Sequence, residues 1–282
     1  MTSKALTIAS TLRSLGNTVH GIRPHLLQQA ISACVLRKAY FGVETWWPGR
    51  TRPLLALPNM EKINPLLHPP WSTKEPREAA LRWVSALLGR IREEAVDNFQ
   101  ILLQSIPNND IIIYSDRSKL ENGQTDGGYI GFQAGSQFLR GSIPLRHNKE
   151  VFDAEAEAAL TGLKATMIHS TAQCSLNLWI CLDNLEVAIQ LLSLSIGSSQ
   201  AVFESFNTLA ATWPLRRRLP QIESRAVQIR WVPGHANISR NEAADCTTKE
   251  GAGKTVSTSY PWSYVAFKRH TKSQATSRAQ TY

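Results

Sequence analysis

The spacing of hydrophobic and polar positions changes character along this chain. From His25 to Phe41, Leu27, Ile31, Cys34 and Val35 share one helical face, and Pro24 stands at the first turn. Between Thr45 and Pro70 prolines at 48, 53, 58, 65, 69 and 70 break any period, which predicts a loop-rich stretch. Leu81, Val84, Leu88, Ile91, Ala95, Phe99 and Leu102 then recur three and four residues apart and predict a long helix from Pro76 to about Gln104. Pro107-Asn108-Asn109 ends it.

Past that point the pattern becomes strand-like. Asp110–Asp116 is a short β-branched run, a buried strand. Asn122-Gly123 and Gly127-Gly128 read as turn punctuation, followed by strands at Tyr129–Ala134 and Gln137–Pro144 that a short connection makes antiparallel. Val151–Ile168 is Ala-, Glu- and Leu-rich and helical. Leu176–Asp183 is a further strand and Asn184–Leu194 a helix, and after a Gly197-Ser198-Ser199 break Val202–Trp213 is another helix. Val227–Val232 is the fifth strand, Pro233–Ser239 a loop and Asn241–Lys249 the last helix. Three meandering strands followed by alternating strands and helices predict an α/β fold. Its mixed five-stranded sheet carries helices packed on it and follows a helical segment. The expected divisions are a helical module over residues 1–106, the α/β domain over 107–253, and a basic tail without periodicity, expected to be disordered, over 254–282.

Composition narrows the classes. With 282 residues and 43% apolar side chains the chain has material for a core, which excludes disordered, collagen-like and coiled-coil classes. No run of 18 apolar residues argues for a membrane span, and no secretory signal is evident. Cys34, Cys174, Cys181 and Cys246 form no C-x-x-C pair, so neither a zinc ribbon nor a dithiol redox site is expected. The expected setting is the reducing interior of a cell, nucleus or cytoplasm. The net charge of +9 divides as +6 over residues 1–109, −2 over 110–253 and +5 over 254–282. Basic flanks favour a polyanionic partner, a nucleic-acid backbone. Arg216-Arg217-Arg218 is a candidate backbone contact, or else a solvated basic face.

The acidic middle carries the candidate chemistry. Asp116 closes the first strand and Asp183 the fourth, where parallel strand ends share one edge of a sheet. Glu155 lies near the start of the helix after the third strand, and Asp245 lies on the last helix. Converging carboxylates need a compensating cation, and hard oxygen donors suit Mg²⁺, or Mn²⁺ in its place. Two such ions about 4 Å apart serve in-line phosphodiester displacement. Taken one at a time, each residue also fits a turn, a helix cap or a solvated helix face. Glu155 and Glu157 point to different faces at i,i+2 spacing, so at most one joins a site.

The segments IIIYSDRSK, FDAEAEAALTGLKA, LWICLDN and RWVPGHANISRNEAADCTTKEGA resemble the ribonuclease H domain of non-LTR retrotransposon reverse transcriptases, the fungal kind in particular. Less closely, LGNTVHGIRPHLLQQAISACVLRKAYFGVETWWPGR resembles the segment that joins polymerase and ribonuclease H domains in those elements. No polymerase Y-x-D-D motif occurs, so the resemblance is to a C-terminal part without the polymerase. It implies cleavage of the RNA strand of an RNA–DNA hybrid by two Mg²⁺ ions. Asp116 would bridge both ions, Asp245 would complete the one that activates water, and Glu155 and Asp183 would hold the other. His235, on the loop before the last helix, would assist proton transfer or product release. The resemblance favours Glu155 over Glu157, because Ala158, Ala159 and Leu163 then fall where the family keeps small and apolar residues. One departure stands out. The family carries Asp-Gly-Ser at the first strand, and this chain has Asp116-Arg117-Ser118. Adjacent strand residues face opposite ways, so Arg117 need not block Asp116, while its side chain can crowd the RNA strand or bind a phosphate. The alternative function is a catalytically impaired nucleic-acid-binding remnant.

Overall fold

The computed structural model describes residues 59–64, 80, 92–223, 225–234, 236, 238–251 and 260–280. The expected helix at His25–Phe41, most of the 1–106 module and His235 lie outside the described residues. Residues Asn59–Tyr282 form one compact unit.

The elements are α1 (Arg92–Ser105), β1 (Ile111–Lys119), β2 (Thr125–Gln133), β3 (Ser136–Arg146), α2 (Val151–Ile168), β4 (Leu178–Leu182), α3 (Leu185–Leu192), α4 (Gln200–Ala211), β5 (Val227–Trp231), α5 (Ser239–Gly251) and α6 (Tyr264–Gln280). They build one mixed sheet in the order β3-β2-β1-β4-β5. β1 pairs with β2, and β2 with β3, antiparallel. β4 runs parallel to both β1 and β5. This is the expected fold class.

Side-chain alternation along β1 feeds two cores. Ile111 and Ile113 pack with Ala159, Leu160 and Leu163 of α2, together with Phe203, Phe206 and Trp213. Ile112 and Tyr114 face the other way, against Phe99 of α1, Val232 and Ala244 of α5. A strand covered on both sides reads as a continuous apolar run, as Ile111–Tyr114 does. At the N-terminal end of β1 the buried Asp110 accepts hydrogen bonds from Asn177 N, Asn177 Nδ2 and Trp179 Nε1, each 2.9 Å, and so fixes the β1–β4 register.

Two expectations are corrected. Only Asn122-Gly123 turns, with Gly123 at φ +81°, whereas Gly127 and Gly128 lie inside β2 opposite Arg117 and Asp116. A Cβ at Gly127 would stand 2.8 Å from the Ala154 carbonyl of α2, and one at Gly128 would stand 2.8 Å from the Thr248 amide of α5. These glycines let helices approach both faces of the strand and have no turning role.

The second correction concerns the C-terminal segment. Its described part is a helix, α6, rather than a tail without structure. Met60 bridges to Trp262, Ser263 donates to Asp153 of α2, and the Tyr264 amide donates to Glu61. Periodicity could not reveal this helix, because a short polar junction rather than an apolar stripe carries much of its attachment.

Candidate active site

The C-terminal half of β1 delivers Asp116, and Asp183 follows directly after β4, so the parallel β1–β4 pair sets both at one edge of the sheet. The first turns of α2 bring Glu155 to the same place. That helix starts with a reciprocal cap in which Asp153 accepts from the Glu150 amide at 2.8 Å. Glu155 is completely buried, and its Oε1 accepts from the Asn184 amide at 3.0 Å. Asn184 is itself the α3 N-cap, accepting from the Glu186 and Val187 amides. Gly234 closes in on Asp183: a Cβ there would lie 2.7 Å from Asp183 Oδ2. Glu157 lies apart, paired at 3.2 Å with the buried Lys149.

Three of the four carboxylates meet one side chain. Arg117 Nη1 donates to Asp183 Oδ1 at 2.6 Å and approaches Asp116 Oδ1 at 3.4 Å. Its Nε stands 3.2 Å from Glu155 Oε2, a contact of charges without hydrogen-bond alignment. The Arg117 amide adds a 2.7 Å bond to Asp116 Oδ1. Alternation does put Asp116 and Arg117 on opposite faces of β1. However, Glu155 rises on Arg117's face, and the long side chain spans the strand end to the other two acids. Opposite faces of the strand therefore do not keep Arg117 away from Asp116.

Asp245, on α5, takes a different partner. Lys249 Nζ lies 2.7 Å from its Oδ2, one turn along the helix. That i,i+4 pair is legible from spacing, whereas the Arg117 network is not.

Electrostatics follow from burial. Desolvation, then the Asp183 charge, raises Asp116 from 3.8 to about 6, against the opposing Arg117 amide and guanidinium. Desolvation raises Glu155 to about 8 although Arg117 pulls the other way. Burial works against the charge of Arg117, but Glu155, Asp183 and Asp116 together outweigh it and raise its pKa.

The Arg216 candidate is corrected. It is buried, with Nε on the Ala172 carbonyl at 3.0 Å, Nη1 on the Trp213 carbonyl at 2.7 Å, and Nη2 on the Ser175 carbonyl. Its guanidinium carbon stands 3.5 Å from the Trp213 ring centroid. Arg218 bonds the Ile222 and Pro214 carbonyls, and Arg217 is exposed.

The mixed five-stranded sheet thus gathers carboxylates at its β1 and β4 ends. The RNase H family model matches residues 108–253, and the chain belongs to that family. By family it is a ribonuclease H, a hydrolase. No curated protein matches the chain. Among solved structures it is similar to RNase H1 from the halophilic archaeon Halobacterium salinarum, at 19% identity and TM-score 0.36, covering 50% of this chain and 96% of that one. It is also similar to LC11-RNase H1 in complex with an RNA/DNA hybrid, at 18% identity and TM-score 0.39, covering 51% and 96%. A third is the foamy viral protease-reverse transcriptase in complex with an RNA/DNA hybrid, at 13% identity and TM-score 0.42, covering 53% and 21%.

Proposed function

We propose that the chain hydrolyses the RNA strand of RNA–DNA hybrids internally, assisted by two divalent cations, Mg²⁺ or Mn²⁺, held by Asp116, Glu155, Asp183 and Asp245. The observation that carries this reading is the convergence of Asp116, Glu155 and Asp183 on one cationic group at 2.6 to 3.4 Å. The donor chemistry suits such ions, since all four candidate ligands are hard carboxylate oxygens and three already surround a positive charge, although among the described residues no group of three is placed to hold an ion as it stands. When bound, the ions would polarise the scissile phosphate and activate the attacking water. Glu155 is braced by the Asn184 amide before substrate arrives, and glycine at 234 leaves room for the Asp183 carboxylate. His235 is the candidate for moving a proton near the leaving oxygen. The substrate would be recognised by backbone and shape rather than base sequence. The motifs support descent from a non-LTR retroelement reverse transcriptase acting inside cells.

A second reading, a hybrid-binding remnant with impaired catalysis, is favoured by one feature, the Arg117 guanidinium on the ligand oxygens. A gel assay with labelled RNA–DNA hybrid separates the two readings. Cleavage with Mg²⁺, none with EDTA, and a loss of at least about a hundredfold in Asp183→Asn with hybrid affinity retained is the expected result. Absent cleavage alongside intact hybrid binding supports the remnant, and cleavage that persists in EDTA overturns the divalent-cation mechanism.

A further inference from the structure

We propose that Arg117 is the resident cation of the carboxylate site, and that a divalent ion binds there only by displacing its guanidinium. The proposal rests on reading the site as a divalent-cation site, and it assigns to one side chain the control of that site's metal affinity.

The geometry leads to this directly. Asp116 Oδ1, Glu155 Oε2 and Asp183 Oδ1 are the oxygens that face Arg117, at 3.4, 3.2 and 2.6 Å. The three acid side chains are 7%, 0% and 11% exposed, so little water is available to disperse their charge. A buried cluster of carboxylates has to be neutralised, by protons or by a counter-charge, and every carboxylate that ionises there needs a cation beside it. With glycine after the aspartate that charge has to come from outside. Here β1 itself supplies it, from a guanidinium whose pKa stays far above neutrality. A divalent ion needs the same oxygens, and two cations on one oxygen set repel at contact distance. Ion entry therefore requires Arg117, 25% exposed and on the solvent side of the cluster, to swing outward. The Lys249–Asp245 pair offers no comparable barrier. Lys249 is 62% exposed, and such pairs are weak and screened by salt.

Two consequences distinguish Arg117 from a side chain that merely crowds the RNA. The protein should be folded and stable without metal, and its Mg²⁺ affinity should rise when the guanidinium is removed. The test uses the full chain stripped of metal, compared with Arg117→Gly and with Arg117→Met, which keeps bulk and removes charge. Calorimetric titration with Mg²⁺ should show at least about tenfold tighter binding in both variants. Thermal melting of wild type should move by less than about 1 °C between EDTA and excess Mg²⁺, while both variants should gain several degrees from Mg²⁺. Equal Mg²⁺ affinity in all three proteins overturns the proposal and leaves the cation-site reading standing. Absence of Mg²⁺ binding from all three overturns both.

Discussion

At the scale of single residues the protonation of Glu155 and Asp116 governs the behaviour of the site. Both carry raised pKa values, about 8 and about 6, because burial disfavours their charged forms. The metal-free folded protein therefore keeps protons that the unfolded chain releases near 4.5 and 3.8. Where the native state binds more protons, stability falls as pH rises. Metal-free protein should be most stable below about pH 4, in these two groups' contribution, and lose that contribution up to about pH 8, on the order of several kcal/mol. Urea melts at pH 5 and pH 8 check this. Glu155→Gln should flatten the slope above pH 6, and a slope unchanged in that variant would count against Glu155 as its source.

At the scale of elements, the 3₁₀ turns at Ser170–Cys174 and Trp213–Leu215 are tied together by one buried arginine. Arg216 donates to the carbonyls of Ala172, Trp213 and Ser175, the first two of which also accept a backbone amide. Arg216→Ala should cost about 2–4 kcal/mol by denaturant melting, since it removes three charged hydrogen bonds and the guanidinium packed on the Trp213 ring. Hybrid affinity and its salt dependence should hold in the same variant. A reduced salt slope with normal stability would return Arg216 to the nucleic-acid interface.

At the scale of the whole molecule, a polar junction ties residues 59–64 and α6 to the α/β domain. Asp153 Oδ1 accepts from Ser198 and Ser199 at 2.8 Å each, and its Oδ2 accepts from Ser263. Glu61 accepts from the Ser199 amide at 2.9 Å and from the Tyr264 amide. Ser263→Ala should lower stability by about 1–3 kcal/mol, because it removes a donor from a fully buried carboxylate. Its salt dependence of hybrid binding should match wild type, because no charge changes. Deleting residues 260–282 should lower the melting temperature more, as Glu61 loses a partner too. A deletion that melts like wild type would show that α6 contributes nothing to the fold.

The order of strands and helices from Ile111 to Gly251 was legible from local periodicity, because each element's apolar positions follow its own repeat. The bounds of α2 came out as Val151–Ile168, and the candidate acids Asp116, Glu155, Asp183 and Asp245 came from element ends and family-like motifs. Tertiary structure alone decided what lies between those elements. Gly127 and Gly128 look like turn residues until helices are seen against both faces of β2, since a glycine's reason is often a neighbour distant in sequence. Arg216 looks like a surface cation until its three carbonyl partners are assembled around it. The attachment of α6 depends on Asp153, which lies 110 residues from Ser263 in sequence, and no local period carries such a contact. Arg117 is the clearest case. Alternation along β1 determined which face it takes, but only the packing of α2 put Glu155 on that face, and only the parallel β4 brought Asp183 within reach of the same guanidinium.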